Sequence, residues 1–295
     1  MISLCLVNCN KDGDIIIDNP DSNSDWSSLS YSILDYTPAP GQYINENVSG
    51  FANIKTMREA CQQAKKRLSE NQYVSLGAWG GYMVIKADEP IYNSGNYDFA
   101  IASNTFDSSN EPGIVWVMQD LNGNSLPDDV WYELKGSYYA EKGYERNYSV
   151  TYFKPAPGED TPWTDSNGDS GFINWMGSYH NQDYYYPEWI LEDSYTLYGS
   201  RLPSQTEQNP TTGIWTNLPF KWGYVDNSGE DMIKTSVNGV TLFLNQFKIS
   251  DAVDEKGNFV SLSHISFIKV QTAINGKADI LGENSTEICG FYKCS

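Results

Sequence analysis

The chain has 295 residues, enough for one large or two small domains with a sizeable buried core. Its 38 Asp and Glu outweigh 19 Lys and Arg, and the net charge of −19 excludes nucleic-acid or membrane-surface binding through a basic patch. Aromatic residues make up 14% of the chain, too many for intrinsic disorder, and two histidines, His180 and His264, are too few for a multi-histidine zinc centre.

In chain order, Met1–Cys9 is a short apolar stretch ending in cysteine, followed at once by Asn10-Lys-Asp-Gly-Asp14. Leu6-Val7-Asn8-Cys9 is similar to a bacterial lipobox, so residues 1–9 are expected to be a truncated lipoprotein signal with Cys9 the lipidated first residue of the mature chain. Asn8 departs from the small residue usual there, and no basic segment precedes the stretch. The polar, acid-containing run after Cys9 is similar to the signal that sends Bacteroidetes lipoproteins to the outer face of the outer membrane. A lipid anchor is then the expected membrane attachment, because no apolar run reaches the roughly 18 residues of a spanning helix.

Residues 10–35 are rich in Asp, Asn and Ser and are expected to form a flexible tether, with a single domain over 36–295. Lys55–Gln72 reads as a helix, because Met57, Ala60, Cys61, Ala64 and Leu68 recur at helical spacing. Strand-like runs bounded by Gly, Asn, Asp and Pro follow at Gly81–Lys86, Tyr97–Ala102, Gly113–Gln119, Val130–Leu134 and Tyr148–Phe153. Tyr195–Leu202, Phe220–Tyr224, Val240–Leu244 and Ser266–Thr272 continue the series. Strands without intervening helices predict two packed antiparallel sheets, a mainly β, jelly-roll-like sandwich with one short helix near the N-terminus. No CxxC pair is present; Cys61 lies on the apolar helix face, and Cys289 and Cys294 are close enough to bridge or to remain thiols.

The sharpest chemical motif is Asp120-Leu-Asn-Gly-Asn-Ser-Leu-Pro-Asp-Asp129. Asp120, Asn122 and Asn124 supply alternate oxygens, Gly123 permits a tight turn, and the Leu126 carbonyl with Asp128 or Asp129 completes a structural Ca²⁺ shell. It lacks the position-six glycine and position-twelve glutamate of an EF-hand; the plainer reading is an Asx-rich turn between two strands.

The long segment after it carries Trp163, Trp175, Tyr184, Tyr185 and Trp189 among Asp, Asn and Gln, and holds three of the nine tryptophans. Aromatic faces flanked by polar side chains suit a saccharide or another flat ligand with polar edges, so these residues, with Trp222 further on, are the candidate ligand-binding set. The plainer reading is that the rings cap the core. Asp165 and Asp169 are candidates for a second, weaker calcium loop. Glu188, Glu192 and Asp193 are candidates for a glycosidase carboxylate pair, but no G-x-S-x-G elbow, P-loop or H-E-x-x-H occurs, and the expectation is a protein without catalytic residues.

Several strings carry a resemblance when taken together: Tyr36-Thr-Pro-Ala-Pro-Gly-Gln-Tyr-Ile-Asn-Glu46, Val74-Ser-Leu-Gly-Ala-Trp-Gly-Gly-Tyr82, Glu111-Pro-Gly-Ile-Val115 and Asp120–Gly136. Trp222-Gly-Tyr224 with Asp226-Asn227, and Leu281-Gly-Glu-Asn-Ser-Thr-Glu287, complete the set. In this order they resemble a family of Bacteroidetes cell-surface lipoproteins, sometimes labelled PKD-like, over about residues 36–290. Ala278-Asp-Ile departs from the family, whose members tend to carry Gly-Trp there. Such proteins tend to be encoded beside TonB-dependent outer-membrane receptors, including cobalamin-uptake loci. The resemblance therefore implies capture of a nutrient, a saccharide or a corrinoid, for hand-over to such a receptor. An adhesion or matrix-interaction module and a glycoside hydrolase are the alternatives.

Overall fold

Alternating β-branched and aromatic side chains give a strand one or two apolar faces to bury, and sheets built from such strands must pack against one another. In the computed structural model, which describes residues 26–105, 109–277 and 282–294, the result is a mainly β, antiparallel sandwich with a single α-helix among the described residues. The strands are β1 (Trp26–Ser28), β2 (Tyr31–Thr37), β3 (Val74–Ser75), β4 (Tyr82–Tyr92), β5 (Phe99–Ser103), β6 (Gly113–Met118) and β7 (Tyr132–Leu134). Next come β8 (Glu145–Phe153), β9 (Thr161–Asp165), β10 (Ser170–Ile173), β11 (Ser194–Arg201), β12 (Thr206–Gln208) and β13 (Trp215–Asn217). The last are β14 (Met232–Val237), β15 (Val240–Phe247), β16 (Ala252–Val253), β17 (His264–Thr272), β18 (Glu287–Ile288) and β19 (Gly290–Cys294).

A six-stranded sheet runs β16-β7-β6-β17-β4-β2, and a five-stranded sheet runs β1-β19-β5-β15-β14. The chain passes from one to the other and back through β4, β5 and β6, the jelly-roll-like feature of the sandwich. A four-stranded sheet, β10-β9-β8-β11, and two short pairs, β12-β13 and β18-β3, lie alongside. Alternation along β5 shows the logic. Phe99 and Ile101 enter the main core with Ile85, Val115 and Ile268, whereas Ala100 and Ala102 face a second cluster with Leu242, Leu244 and Tyr292. Cys289 and Cys294 pack at the edge of that second cluster.

The helix, α1 (Met57–Ser69), starts at Thr56, which forms a reciprocal capping box with Glu59. Ala60, Cys61, Ala64 and Leu68 are its buried stripe, as the spacing predicts. Two expectations are corrected. Residues 26–35 are not tether: Trp26 and Tyr31 offer enough apolar area to hold β1 and β2 in the sheets, and both are buried. Phe220–Tyr224 is not a strand, because the Asn227 side chain bonds both the N–H and the carbonyl of Phe220 while Asp231 accepts from Gly223 N, closing a turn. Cys9 and residues 10–25 of the expected tether lie outside the described residues.

Candidate functional site

Strand register brings chemistry to one face of the six-stranded sheet. Asp35, Val84, Lys269, Trp116 and Glu133 are successive cross-strand neighbours on β2, β4, β17, β6 and β7. The Lys269 ammonium lies 4.7 Å from the Trp116 ring centre, 5.7 Å from Trp131 and 5.8 Å from Tyr82. Burial lowers its pKa to about 8, against the opposing pull of the Glu133 and Asp35 carboxylates. Glu133 is buried too; it accepts from Tyr144 Oη at 2.9 Å and from Ser200 Oγ at 2.5 Å, while burial raises its pKa.

Above this row lies an open groove of about 520 Å³, lined by Asp35, Tyr82, Trp131 and Lys269 on one side and by Tyr195 and Tyr198 of β11 on the other. Asp35 is held in place by hydrogen bonds from Tyr82 Oη (2.9 Å) and Thr37 Oγ1 (2.7 Å). A cation ringed by aromatic faces beside a fixed carboxylate can stack a flat ligand and bond its polar edge. Pro127, from the 120–129 loop, also borders this groove.

None of the six aromatics named from sequence lines it. Trp189 and Tyr185 are corrected from ligand faces to core, being 5% and 1% exposed. Trp189 packs on Tyr36 and Phe51, and its indole N–H donates to the Tyr36 carbonyl at 3.2 Å. Trp163 and Trp175 are half-buried against the same core, and Trp175 Nε1 donates to the Gln182 carbonyl. Tyr184 borders a separate cleft of about 150 Å³ that also includes Glu188, and half-buried Trp222 stands beside Ser137. Glu188 is paired with Lys55, while Glu192 and Asp193 are exposed. In the second candidate calcium loop, Asp165 accepts from Tyr148 Oη at 2.5 Å and from the backbone N–H groups of Asn167 and Asp169.

The 120–129 loop is exposed, and its polar groups bond mainly to one another. Ser125 N donates to Asp120 Oδ2, Leu121 N to Asp129 Oδ2, Leu126 N to Asn124 Oδ1, and the Asn122 and Asn124 amides to Asp128. Asp120 Oδ1 is the exception, enclosed and without a partner. The donor set of Asp120, Asn122, Asn124, the Leu126 carbonyl, Asp128 and Asp129 is all oxygen on the acceptor side and suits calcium.

Elsewhere the fold gathers five of the six quoted strings, all but Asp120–Gly136, around one buried polar junction. Ala39 N donates to Leu76 O and Ala78 N to Pro40 O, and Gly77 (φ +70°) is obligatory because a Cβ there would stand 2.0 Å from the Ala39 carbonyl oxygen. Leu76 N in turn donates to Thr286 O, and the Ser75 and Ser285 hydroxyls meet at 2.5 Å. Gln42 N donates to Glu283 Oε1 at 2.7 Å, and burial pushes the Glu283 carboxyl up to about 7.

At the same junction Glu111, Asp226 and Glu287 meet. Among the described residues they are the one group of three Asp, Glu, His or Cys side chains whose ligand atoms all lie within 4.8 Å of one another. Ser285 N donates to Glu111 Oε1 (3.1 Å), Thr286 Oγ1 to the Glu111 carbonyl (2.7 Å) and Glu287 N to Asp226 Oδ2 (2.9 Å). Burial raises all three pKa values; mutual repulsion raises those of Asp226 and Glu287 further, and the neighbouring Glu283 charge adds to that of Glu111. These three residues were named in the sequence only as parts of family strings. The available signal was that acids recur inside strings otherwise made of Gly, Pro, Ser, Thr, Asn and apolar residues, where a solvated face would carry lysines as well.

The chain matches no protein-family model, and no curated protein matches its sequence.

Proposed function

We propose that the protein is a non-catalytic, surface-exposed lipoprotein that binds a nutrient ligand in the groove over Lys269 and passes it to a TonB-dependent outer-membrane receptor. The observation carrying this reading is the groove itself: about 520 Å³, bounded by Tyr82, Trp131, Tyr195 and Tyr198, with one ammonium and one carboxylate fixed at its floor. That volume lies within the usual range for small-molecule sites, and the mixture of ring faces with a few polar groups is their usual chemistry. It suits a corrinoid, whose planar macrocycle bears amide edges, and a saccharide, whose C–H faces stack on aromatic rings. In this reading Cys9 carries the anchor, and calcium at Asp120, Asn122, Asn124, Leu126, Asp128 and Asp129 braces the loop that delivers Pro127 to the groove.

The test is calorimetric titration of the full chain with cobalamin and with a glycan panel, repeated on Trp131→Ala and Lys269→Met. Binding by the native chain that either substitution weakens at least about tenfold supports the reading, since well-placed aromatic anchors contribute more than about 1 kcal/mol each. Binding unchanged in both variants, or no binding across both panels, overturns it. The anchor is tested separately: Cys9→Ala should release the protein from the membrane fraction, and unchanged fractionation removes that part.

A further inference from the structure

We propose that Glu111, Asp226 and Glu287 hold a hard divalent cation, calcium, that ties together the loop before β6, the turn before β14 and strand β18. These three residues lie outside both the groove and the 120–129 loop.

The first observation is geometric. Oxygens bound to one Ca²⁺ at roughly 2.3–2.6 Å lie on a small sphere, so no two can be farther apart than about 5 Å. The three side chains already present carboxylate oxygens within 4.8 Å of one another. All three donors are oxygen, without His or Cys, which selects a hard cation over zinc or copper.

The second observation is an open valence. Glu287 is 3% exposed; its carboxyl shares a hydrogen bond with that of Glu111 and is also bonded by Ser285, yet its Oε1 has no partner in the hydrogen-bond network of the fold. Left ionised, an oxygen sealed from water without a donor is costly; a shared proton or a cation relieves it.

The third is the missing counter-charge. The ion pairs among the described residues are Lys55–Glu188, His180–Glu46, Arg201–Glu145 and Lys221–Glu230, none of which reaches the three acids. The electrostatic neighbours of the cluster are themselves carboxylates, Glu283 among them. Three carboxylates so placed must take up protons or share a cation. Protons relieve the repulsion but leave the segments joined only by neutral hydrogen bonds. A divalent ion cross-links three parts of the chain that are remote in sequence.

The experiment uses the full chain, stripped with chelator and titrated with calcium chloride alone, read by calorimetry, elemental analysis and thermal melting. The expected results are calcium retained after desalting and a melting temperature several degrees higher with calcium, since an ion bound only by the native state stabilises it by mass action. Glu287→Gln and Asp226→Asn keep side-chain volume while removing charge; each should weaken calcium binding by more than about 100-fold, beyond the loss typical of residues that merely support ligands. Asp120→Ala should leave this ion in place. Failure of the stripped native chain to bind calcium overturns the proposal, as does binding that survives Glu287→Gln in a folded protein. If the charge-neutral variants do not fold, the native chain crystallised from calcium decides: an ion among the three carboxylates supports the site, and the three carboxylates without one overturns it.

Discussion

The 120–129 loop and the Glu111–Asp226–Glu287 junction are both acidic, yet they solve the problem of like charge in opposite ways. In the loop the carboxylates are adjacent in sequence, exposed to water and bonded by neighbouring amides from the same turn. At the junction the fold brings acids from distant segments into a buried space, where Glu287 Oε1 and the nearby Glu283 Oε2 are left without a partner, as Asp120 Oδ1 is in the loop. The aromatics repeat the contrast. Those crowded together in 163–189 contribute largely to the core, whereas Tyr82, Trp131, Tyr195 and Tyr198, drawn from separate parts of the chain, converge on the groove. Residues close in sequence can satisfy one another locally; residues assembled by topology are the ones left with binding capacity.

The largest effect that would break this contrast is at Trp189. Replacing it with Ala should lower stability by about 3–5 kcal/mol, the range for deleting a large buried aromatic. Denaturant unfolding measures this directly. Trp131→Ala, at a half-buried groove position, should stay within about 1 kcal/mol of the native protein while weakening ligand binding. Equal losses of stability at the two positions would erase the distinction between core and groove rings.

Next in size is the pH response of Asp231, a buried acid whose Oδ2 accepts from Gly223 N at 2.7 Å. Burial, followed by the Glu230 and Asp251 charges, pushes its carboxyl up to about 7 from 3.8. The folded state therefore holds a proton that the unfolded chain releases between these values. Its contribution is full below pH 3.8 and is lost as pH rises through about 7, amounting to a few kcal/mol. Asp231→Asn should flatten that part of the stability profile in calcium-free buffer; an unchanged slope would show that Asp231 does not generate it.

How much of this was legible in the sequence follows the same division. Helix α1 was readable because Met57, Ala60, Cys61, Ala64 and Leu68 recur at helical spacing. The β-branched runs of β6, β15 and β17 were readable for the same local reason. Strand β2 was hidden because Ser32 and Leu34 face water, the register shifts between Ile33 and Asp35 and breaks the alternation, and an Asp- and Ser-rich stretch lies beside it. Phe220–Tyr224 misled in the other direction, because its strand-like composition is overridden by side chains seven and eight residues away that close a turn. The groove and the acidic junction were not legible, since both exist only through the register of β2, β4, β6 and β17 and the meeting of Glu111, Asp226 and Glu287.

A smaller effect is expected at Lys269. Its pKa of about 8 lies below the ordinary 10.5, so the unfolded chain binds more protons between these values and stability should rise with pH across that window. Lys269→Met replaces an ammonium that lacks an ion-pair partner among the described residues with an apolar side chain of similar length. It should stabilise the sandwich by about 1 kcal/mol at neutral pH and remove that rise. Thermal melts at pH 7 and pH 10 decide the sign. A destabilised variant would mean that Lys269 supports the fold more than it serves the groove.

The smallest expected effect is at Asp120. Its Oδ2 accepts one hydrogen bond, from Ser125 N at 3.0 Å, inside a loop whose other turns are closed by Asn122, Asn124, Asp128 and Asp129. Asp120→Ala removes that bond, and removing the enclosed, unpartnered Oδ1 offsets part of the loss, so in chelator the change should be about 0.5 kcal/mol, the low end for one hydrogen bond. In calcium the same variant loses whatever the loop ion contributes. Because the loop is exposed and largely self-bonded, that loss should be a minor part of the native protein's calcium response. The comparison to make is the calcium-induced rise in melting temperature in Asp120→Ala against that in Glu287→Gln. A rise largely kept in the first and abolished in the second places the stabilising ion at the junction. A rise abolished by Asp120→Ala alone would make the exposed loop the calcium site and leave the buried acids to share protons.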